Sequence, residues 1–228
     1  MPIPQAWYVV DAVTGGDVQV CKGRWGTLLI PPGRYDIHLQ PEGPGGVKAP
    51  YIRDLMVVPG KRVILKLDTG VEIQPAKWMG PPRWWAVLDP RSRNPLRRVE
   101  GTWGKTLTPP GKYLIGVQPG GYNTEEVVFG PFDVHPHRLN KVVLRSGVRL
   151  LGPEGSAPVS WSVLDRETGR VVQTVRGAWG AALVPPGTYK ITVRLPAKEG
   201  EKEVVASEKV VVGEGLSDVV TALPKSGD

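Results

Sequence analysis

The phrase Trp25-Gly-Thr-Leu-Leu-Ile-Pro-Pro-Gly-Arg-Tyr35 returns as Trp103-Gly-Lys-Thr-Leu-Thr-Pro-Pro-Gly-Lys-Tyr113 and again as Trp179-Gly-Ala-Ala-Leu-Val-Pro-Pro-Gly-Thr-Tyr189. The copies are offset by 78 and 76 residues, and Trp7, Trp85 and Trp161, then Asp11, Asp89 and Asp165, keep the same spacing. Self-similarity at a fixed period constrains the fold more than any single motif, because one supersecondary solution must serve every copy. The 228 residues therefore divide into repeats of 1–69, 70–146 and 147–228.

Within each repeat the periodicity is that of a strand. Trp7-Tyr-Val-Val-Asp11, Trp85-Ala-Val-Leu-Asp89 and Trp161-Ser-Val-Leu-Asp165 are short runs of aromatic and aliphatic residues followed by turn chemistry. After each Pro-Pro-Gly corner the apolar residues alternate: Tyr35, Ile37, Leu39; Tyr113, Ile115, Val117; Tyr189, Ile191, Val193. Alternation places them on one face, so all nine are expected in a core. Further strands are expected at Leu55–Val58, Phe132–Val134 and Val210–Val212, then at Val63–Leu67, Val142–Leu144 and Val219–Leu223. The fold class is all-β, with three small antiparallel β-sandwich modules in a row and no helix of useful length. Gly 29 and Pro 24 recur in register and mark turns rather than disorder.

Gly70-Val-Glu-Ile73 and Gly147-Val-Arg-Leu150 follow the closing strand of one repeat and precede the Trp strand of the next, so they are expected to open repeats two and three. Repeat one has no counterpart ahead of Trp7, and Ser226-Gly-Asp228 stands where another would start. Either the chain is cut from a longer array or repeat one has an open sheet edge. An open edge invites strand addition by a partner.

The Leu-x-Pro-Pro-Gly-x-Tyr-x-Ile-x-Val phrase, followed by a Val-x-Val strand, a turn and a Val-x-Leu strand leading to Ser/Thr-Gly-Val, resembles PEGA-type and carboxypeptidase-regulatory-like (transthyretin-like) β-sandwich repeats. The resemblance implies a scaffold of the kind found in bacterial surface, periplasmic or von Willebrand factor A-containing proteins, and it brings over no catalytic residue. Extracellular or periplasmic placement is the corresponding expectation.

Formal net charge is +7, concentrated in the middle of the chain: residues 76–151 carry 12 basic and 5 acidic side chains, against 8 and 7 before them and 9 and 10 after. Arg91, Arg93, Arg97 and Arg98 form the densest group, a candidate anion or partner site for an acidic protein face or acidic glycan. Nucleic acid is not an expected partner, because phosphate tracking needs a continuous basic stripe and the flanking repeats are near neutral. No apolar run is long enough for a membrane helix, so no membrane insertion is expected. Sparse Asn and Met with abundant Pro and Arg lean toward a thermostable protein.

Six of the eight Trp belong to the repeat: Trp7, Trp85 and Trp161 open the first hairpin, and Trp25, Trp103 and Trp179 precede the core strand. Their recurrence, like that of Tyr35, Tyr113 and Tyr189, assigns them structural roles. Trp78 and Trp84 are extra and, with Arg83, stand at the junction of repeats one and two. They read as a plug that fixes that junction or as an aromatic platform for a sugar ring or protein.

Catalytic patterns fail in turn. There is no Gly-x-Ser-x-Gly elbow, phosphate-binding loop or His-Glu-x-x-His, and no cofactor or catalytic residue is expected. His135-Pro-His137 with Asp133 is a weak metal candidate outweighed by a simple turn. The repeated aspartates are expected to close hairpins by accepting backbone N–H groups. Cys21 is alone, so it serves as a small apolar strand residue. The expected function is a non-enzymatic structural spacer and interaction module with its partner site on the basic hairpin. Two alternatives are a carbohydrate-binding module using the junction tryptophans, and a regulatory repeat region of a larger enzyme or von Willebrand factor A protein.

Overall fold

A computed structural model describes residues 4–40, 48–197 and 200–220. Among these residues the chain forms β-strands and no helix. In repeat one these are β1 (Ala6–Asp11), β2 (Asp17–Lys22), β3 (Gly33–Gln40) and β4 (Ala49–Val57). Repeat two supplies β5 (Gly70–Pro75), β6 (Trp84–Leu88), β7 (Pro95–Glu100), β8 (Lys105–Leu107), β9 (Gly111–Gln118), β10 (Val127–Val134) and β11 (Leu139–Leu144). Repeat three supplies β12 (Gly147–Leu151), β13 (Ser160–Asp165), β14 (Val171–Arg176), β15 (Gly180–Leu183), β16 (Gly187–Ala197), β17 (Gly200–Val212) and β18 (Leu216–Val220).

The period of the sequence reappears as a period of topology. Each repeat builds one four-stranded sheet of the same order: β2-β1-β3-β4, β7-β6-β9-β10 and β14-β13-β16-β17. In each, the Trp strand pairs with its hairpin return and with the strand that follows Pro-Pro-Gly. The registers of repeats one and three agree: Trp7 faces Cys21 and Leu39, Trp161 faces Val175 and Val193, and the hairpin irregularity falls at Val9/Val10 and at Val163/Leu164. A three-stranded sheet completes repeats two and three, in the orders β11-β5-β8 and β18-β12-β15. The strands opening these repeats are thus central strands of a second sheet.

The tyrosine after each corner explains the glycine before it. In repeats one and three the Tyr ring folds back so that its hydroxyl donates to the first proline of the corner, Tyr35 to Pro31 at 2.9 Å and Tyr189 to Pro185 at 2.8 Å. A Cβ on Gly33 or Gly187 would stand 2.9 Å from that hydroxyl, closer than side chains tolerate. Pro sets the turn, Gly leaves room, and Tyr closes it. Of the nine residues expected in the core, eight are buried and Tyr113 is half-buried.

Two departures from the sequence reading have physical causes. Val63–Leu67 is not a strand, whereas its counterpart in repeat two is β11. In repeats two and three the corresponding segments pair with the central strands β5 and β12; no described strand stands in that place in repeat one, so the segments around Leu28 and Leu65 lack a ladder partner. Secondly, the pairing is not antiparallel throughout, because β12 and β18 run parallel, from Gly147 opposite Leu216 to Leu151 opposite Val220. The expected strand end at Thr221–Leu223 and the Ser226–Asp228 tail lie outside the described residues.

Packing units do not coincide with sequence repeats. One compact unit comprises Met1–Gln74, Trp85–Ile115 and Gly130–Val142; the other comprises Pro75–Trp84, Gly116–Phe129 and Val143–Asp228. In the first, Leu107 of repeat two joins the apolar cluster of Trp7, Val9, Ile37, Leu39 and Tyr51. In the second, Trp161, Val163, Ile191, Val193, Val148 and Leu150 form a dry core with each residue at most 1 % exposed.

Candidate functional site

The repeated tryptophans and aspartates are built into the frame. The indole Nε1 of Trp7, Trp85 and Trp161 donates to the carbonyl of the residue 17 positions on, Arg24 at 3.2 Å, Thr102 at 3.1 Å and Ala178 at 3.1 Å. Each bond ties the Trp strand to the loop beyond its hairpin and satisfies a polar atom that burial would otherwise strand. Asp11, Asp89 and Asp165 each accept through one carboxylate oxygen from the backbone N–H three residues on, at 2.7, 2.8 and 2.8 Å, and from the Thr14, Ser92 or Thr168 hydroxyl. The backbone N–H groups of Thr14 and Ser92, and the Thr168 hydroxyl, are the main reasons that these carboxyls are held below the ordinary aspartate range. This is turn chemistry, and the three carboxylates lie in three separate hairpins.

The basic hairpin is divided by its own geometry. Arg91 and Arg93 are exposed in the turn, and Arg93 takes the left-handed conformation with φ of 58°. Arg97 and Arg98 lie on β7 rather than in the loop, and both are half-buried. Successive strand residues point to opposite faces, so these two do not join one surface. Arg98 faces Glu100 at 3.4 Å, and Arg97 lines a small apolar recess with Leu39, Tyr51 and Val87. The turn thus presents two of the four guanidinium groups to solvent without commitment to the strand.

Trp78, Arg83 and Trp84 have distinct settings. Trp78 is half-buried with its ring against Gly147 at the start of β12, where a Cβ would meet it. Trp84 is half-buried as the first residue of β6, and Arg83 is exposed while its backbone N–H donates to the Gln118 carbonyl at 2.9 Å. Trp103 and Trp179 are half-buried. The Trp179 ring lies over Gly152, and its Nε1 donates to the Ser156 carbonyl at 2.9 Å.

Trp25, the repeat-one counterpart of Trp179, is 37 % exposed and lines a cleft of about 920 Å³. The cleft floor is Trp7, Val9 and Ile37, and its walls are the segments around Leu28–Ile30 and Val63–Leu67. Leu29 is 91 % and Ile64 74 % exposed, a large apolar surface for a region that also holds Val58 and Val63. Repeats two and three have β5 and β12 between the corresponding segments, and among the described residues repeat one has no such strand.

A second feature had no sequence signal. Gln173, wholly buried on β14, accepts at Oε1 from the backbone N–H of Thr124 at 3.1 Å and Glu125 at 2.9 Å, and donates from Nε2 to the Glu125 carbonyl at 3.1 Å. The loop after β9 is thereby clipped to β14, with Asn123 and Val175 bridged. Among the described residues no group of three His, Cys, Asp or Glu side chains is placed to hold a metal ion. His137 lies 3.4 Å from Asp68, and its backbone N–H donates to Thr69 at 2.8 Å. Among the described residues no helix is long and apolar enough to cross a membrane.

No family model and no curated protein matches the chain. Among solved structures it is similar to the Bacillus anthracis TIE protein, with 14% identity and a TM-score of 0.24 over 97% of this chain. The match spans 47% of that protein's length.

Proposed function

We propose that the chain is a non-enzymatic structural spacer and interaction module of a bacterial surface or periplasmic assembly, built on PEGA-type or transthyretin-like repeats. The observation that carries this reading is the conserved frame inside one chain: the same Trp-to-carbonyl bond and the same Asp-closed turn recur in all three repeats while the turn between them changes from Val13-Thr14-Gly15 to Arg91-Ser92-Arg93. A frame held constant with varied loops is how rigid scaffolds carry recognition.

The partner surface is the basic hairpin tip, Arg91 and Arg93, with Arg97 and Arg98 supplying positive field from the strand behind it. Its partner is an acidic protein face or acidic glycan. The Trp78 ring is seated on Gly147 at the start of repeat three, not against repeat one, which supports a packing role there over a sugar platform and gives no support to a plug between repeats one and two.

The test is retention of the full chain on immobilised heparin and on poly-glutamate. Arg91→Ser with Arg93→Asn, the second chosen because Asn tolerates a left-handed backbone, is expected to lower the eluting salt concentration while leaving the melting temperature unchanged. Retention unchanged by the pair, with the fold intact, would refute the assignment.

A further inference from the structure

We propose that the apolar cleft of repeat one is a strand-acceptor site that takes an extended segment of a partner polypeptide, with a Gly-Val-x-Ile/Leu pattern and an uncharged residue at x. This inference does not depend on the basic hairpin.

The other two repeats show what the place is shaped for. In repeat three, β12 lies between β15, antiparallel to it, and β18, parallel to it. In repeat two, β5 lies between β8 and β11. Both central strands begin Gly-Val and send alternate apolar residues into the core: Val71 and Ile73 are 1 % and 3 % exposed, and Val148 and Leu150 are both at 0 %. In repeat one the two flanking segments are present and flank the cleft, yet neither is a strand. A segment laid between them would complete both ladders.

The consequences of an uncovered place can be followed residue by residue. Val142 and Leu144, on the β11 side of repeat two, are 4 % and 1 % exposed, while their counterparts Leu65 and Leu67 are only half-buried. Trp179 is seated on Gly152, just beyond β12, whereas Trp25 opens onto the cleft. An inserted strand would cover Trp25 in the same way.

Charge specifies the third residue of the occupant. Arg149, third in β12, is opposite Asp218 of β18 and bonds it at 2.9 and 2.6 Å. Repeat two has Glu72 third in its central strand, opposite Lys105 of β8, where repeat one has Thr27; Lys141 lies on β11, seven residues beyond Val134. Seven residues beyond Val57, at the same place in repeat one, is Ile64. A charged third residue would face an apolar side chain and forfeit its pairing, so the occupant differs from β5 and β12 there.

The experiment uses the full chain with the 69–75 segment, Thr-Gly-Val-Glu-Ile-Gln-Pro, carrying Glu72→Val, both as a free fluorescent peptide and joined ahead of Pro4 by a flexible Gly-Ser linker, which raises its local concentration. The expected results are saturable peptide binding, a blue shift of Trp25 emission lost in Trp25→Phe, and a melting temperature several degrees higher for the linked protein. Leu29→Asp and Ile64→Asp, both at exposed positions, are expected to weaken peptide binding at least tenfold without lowering the melting temperature of the unlinked chain. The unaltered Glu72 peptide is expected to bind less tightly. The proposal is overturned if neither form of the segment binds or stabilises, or if a peptide with Pro in place of the Val after Gly does so equally. It is also overturned if the chain dimerises in solution and Ile64→Asp makes it monomeric, since the cleft would then join two copies.

Discussion

Gln173 Oε1 accepts the Glu125 backbone N–H at 2.9 Å, and Gln173 Nε2 donates back to the Glu125 carbonyl at 3.1 Å. A side chain here does the work of a strand neighbour, reading both polar groups of a residue 48 positions away. Gln173 is itself fully buried, so its own amide has no water to fall back on.

Replacing Gln173 with Leu is therefore expected to destabilise the protein by about 1–3 kcal/mol, the loss of two bonds to Glu125 at about 0.5–1.5 kcal/mol each, since the Thr124 N–H keeps the Thr174 carbonyl as a second acceptor. Urea unfolding followed by circular dichroism measures this. A change below about 0.5 kcal/mol would mean that the loop does not depend on the clip.

The Asp-closed turns predict an acid limb. Asp11, Asp89 and Asp165 have folded pKa values below the unfolded value of about 3.9, so the stability they contribute is complete above that pH and is lost as pH falls through the folded values. Asp165→Asn keeps an oxygen acceptor without the charge. It is expected to shrink the fall in urea midpoint between about pH 5 and about pH 2, and an unchanged acid limb would count against the turn as its source.

Tyr189 predicts the opposite limb. Burial, with Asp165 nearby as a lesser cause, pushes its phenol up to about 12. The protonated phenol is favoured in the folded state, so this contribution is full below the unfolded value of about 10 and is lost as pH rises toward the folded one. Burial raises Tyr51 and Tyr113 as well, so tyrosinate absorbance is expected to show several late-titrating groups and to lose one of them in Tyr189→Phe. The same substitution removes the bond to Pro185 and should cost about 1 kcal/mol at neutral pH.

At Gly152 an added methyl group would stand 2.1 Å from the Trp179 ring. Gly152→Ala is expected to lower stability by about 1–3 kcal/mol and to red-shift tryptophan emission as the ring is displaced. Thermal melts and emission spectra of the variant test it, and wild-type values in both would show that the ring is free to move aside.

Much of this architecture was readable because its causes are local. The Pro-Pro-Gly-x-Tyr corner, the alternation after it and the Asp turn each involve residues a few positions apart, and the opening strands at Gly70 and Gly147 follow from the same periodicity. What escaped is decided by partners distant in sequence. Nothing near Gln173 announces that it will bond Glu125, and Leu107 carries no mark of joining the Trp7 cluster. Val63–Leu67 has every strand propensity its counterpart has, yet a ladder needs a neighbour. The four arginines crowd into eight positions of sequence, yet Arg97 and Arg98 alternate across β7 and so face opposite ways.

The parallel run of β12 beside β18 gives repeat three a mechanical character. If tension is applied to the two ends of that repeat, these strands are drawn past each other lengthwise, and the hydrogen bonds between them resist together instead of parting one after another. Repeat one offers no such shear lock among its described strands, and a strand seated there by a partner would be the means of supplying one.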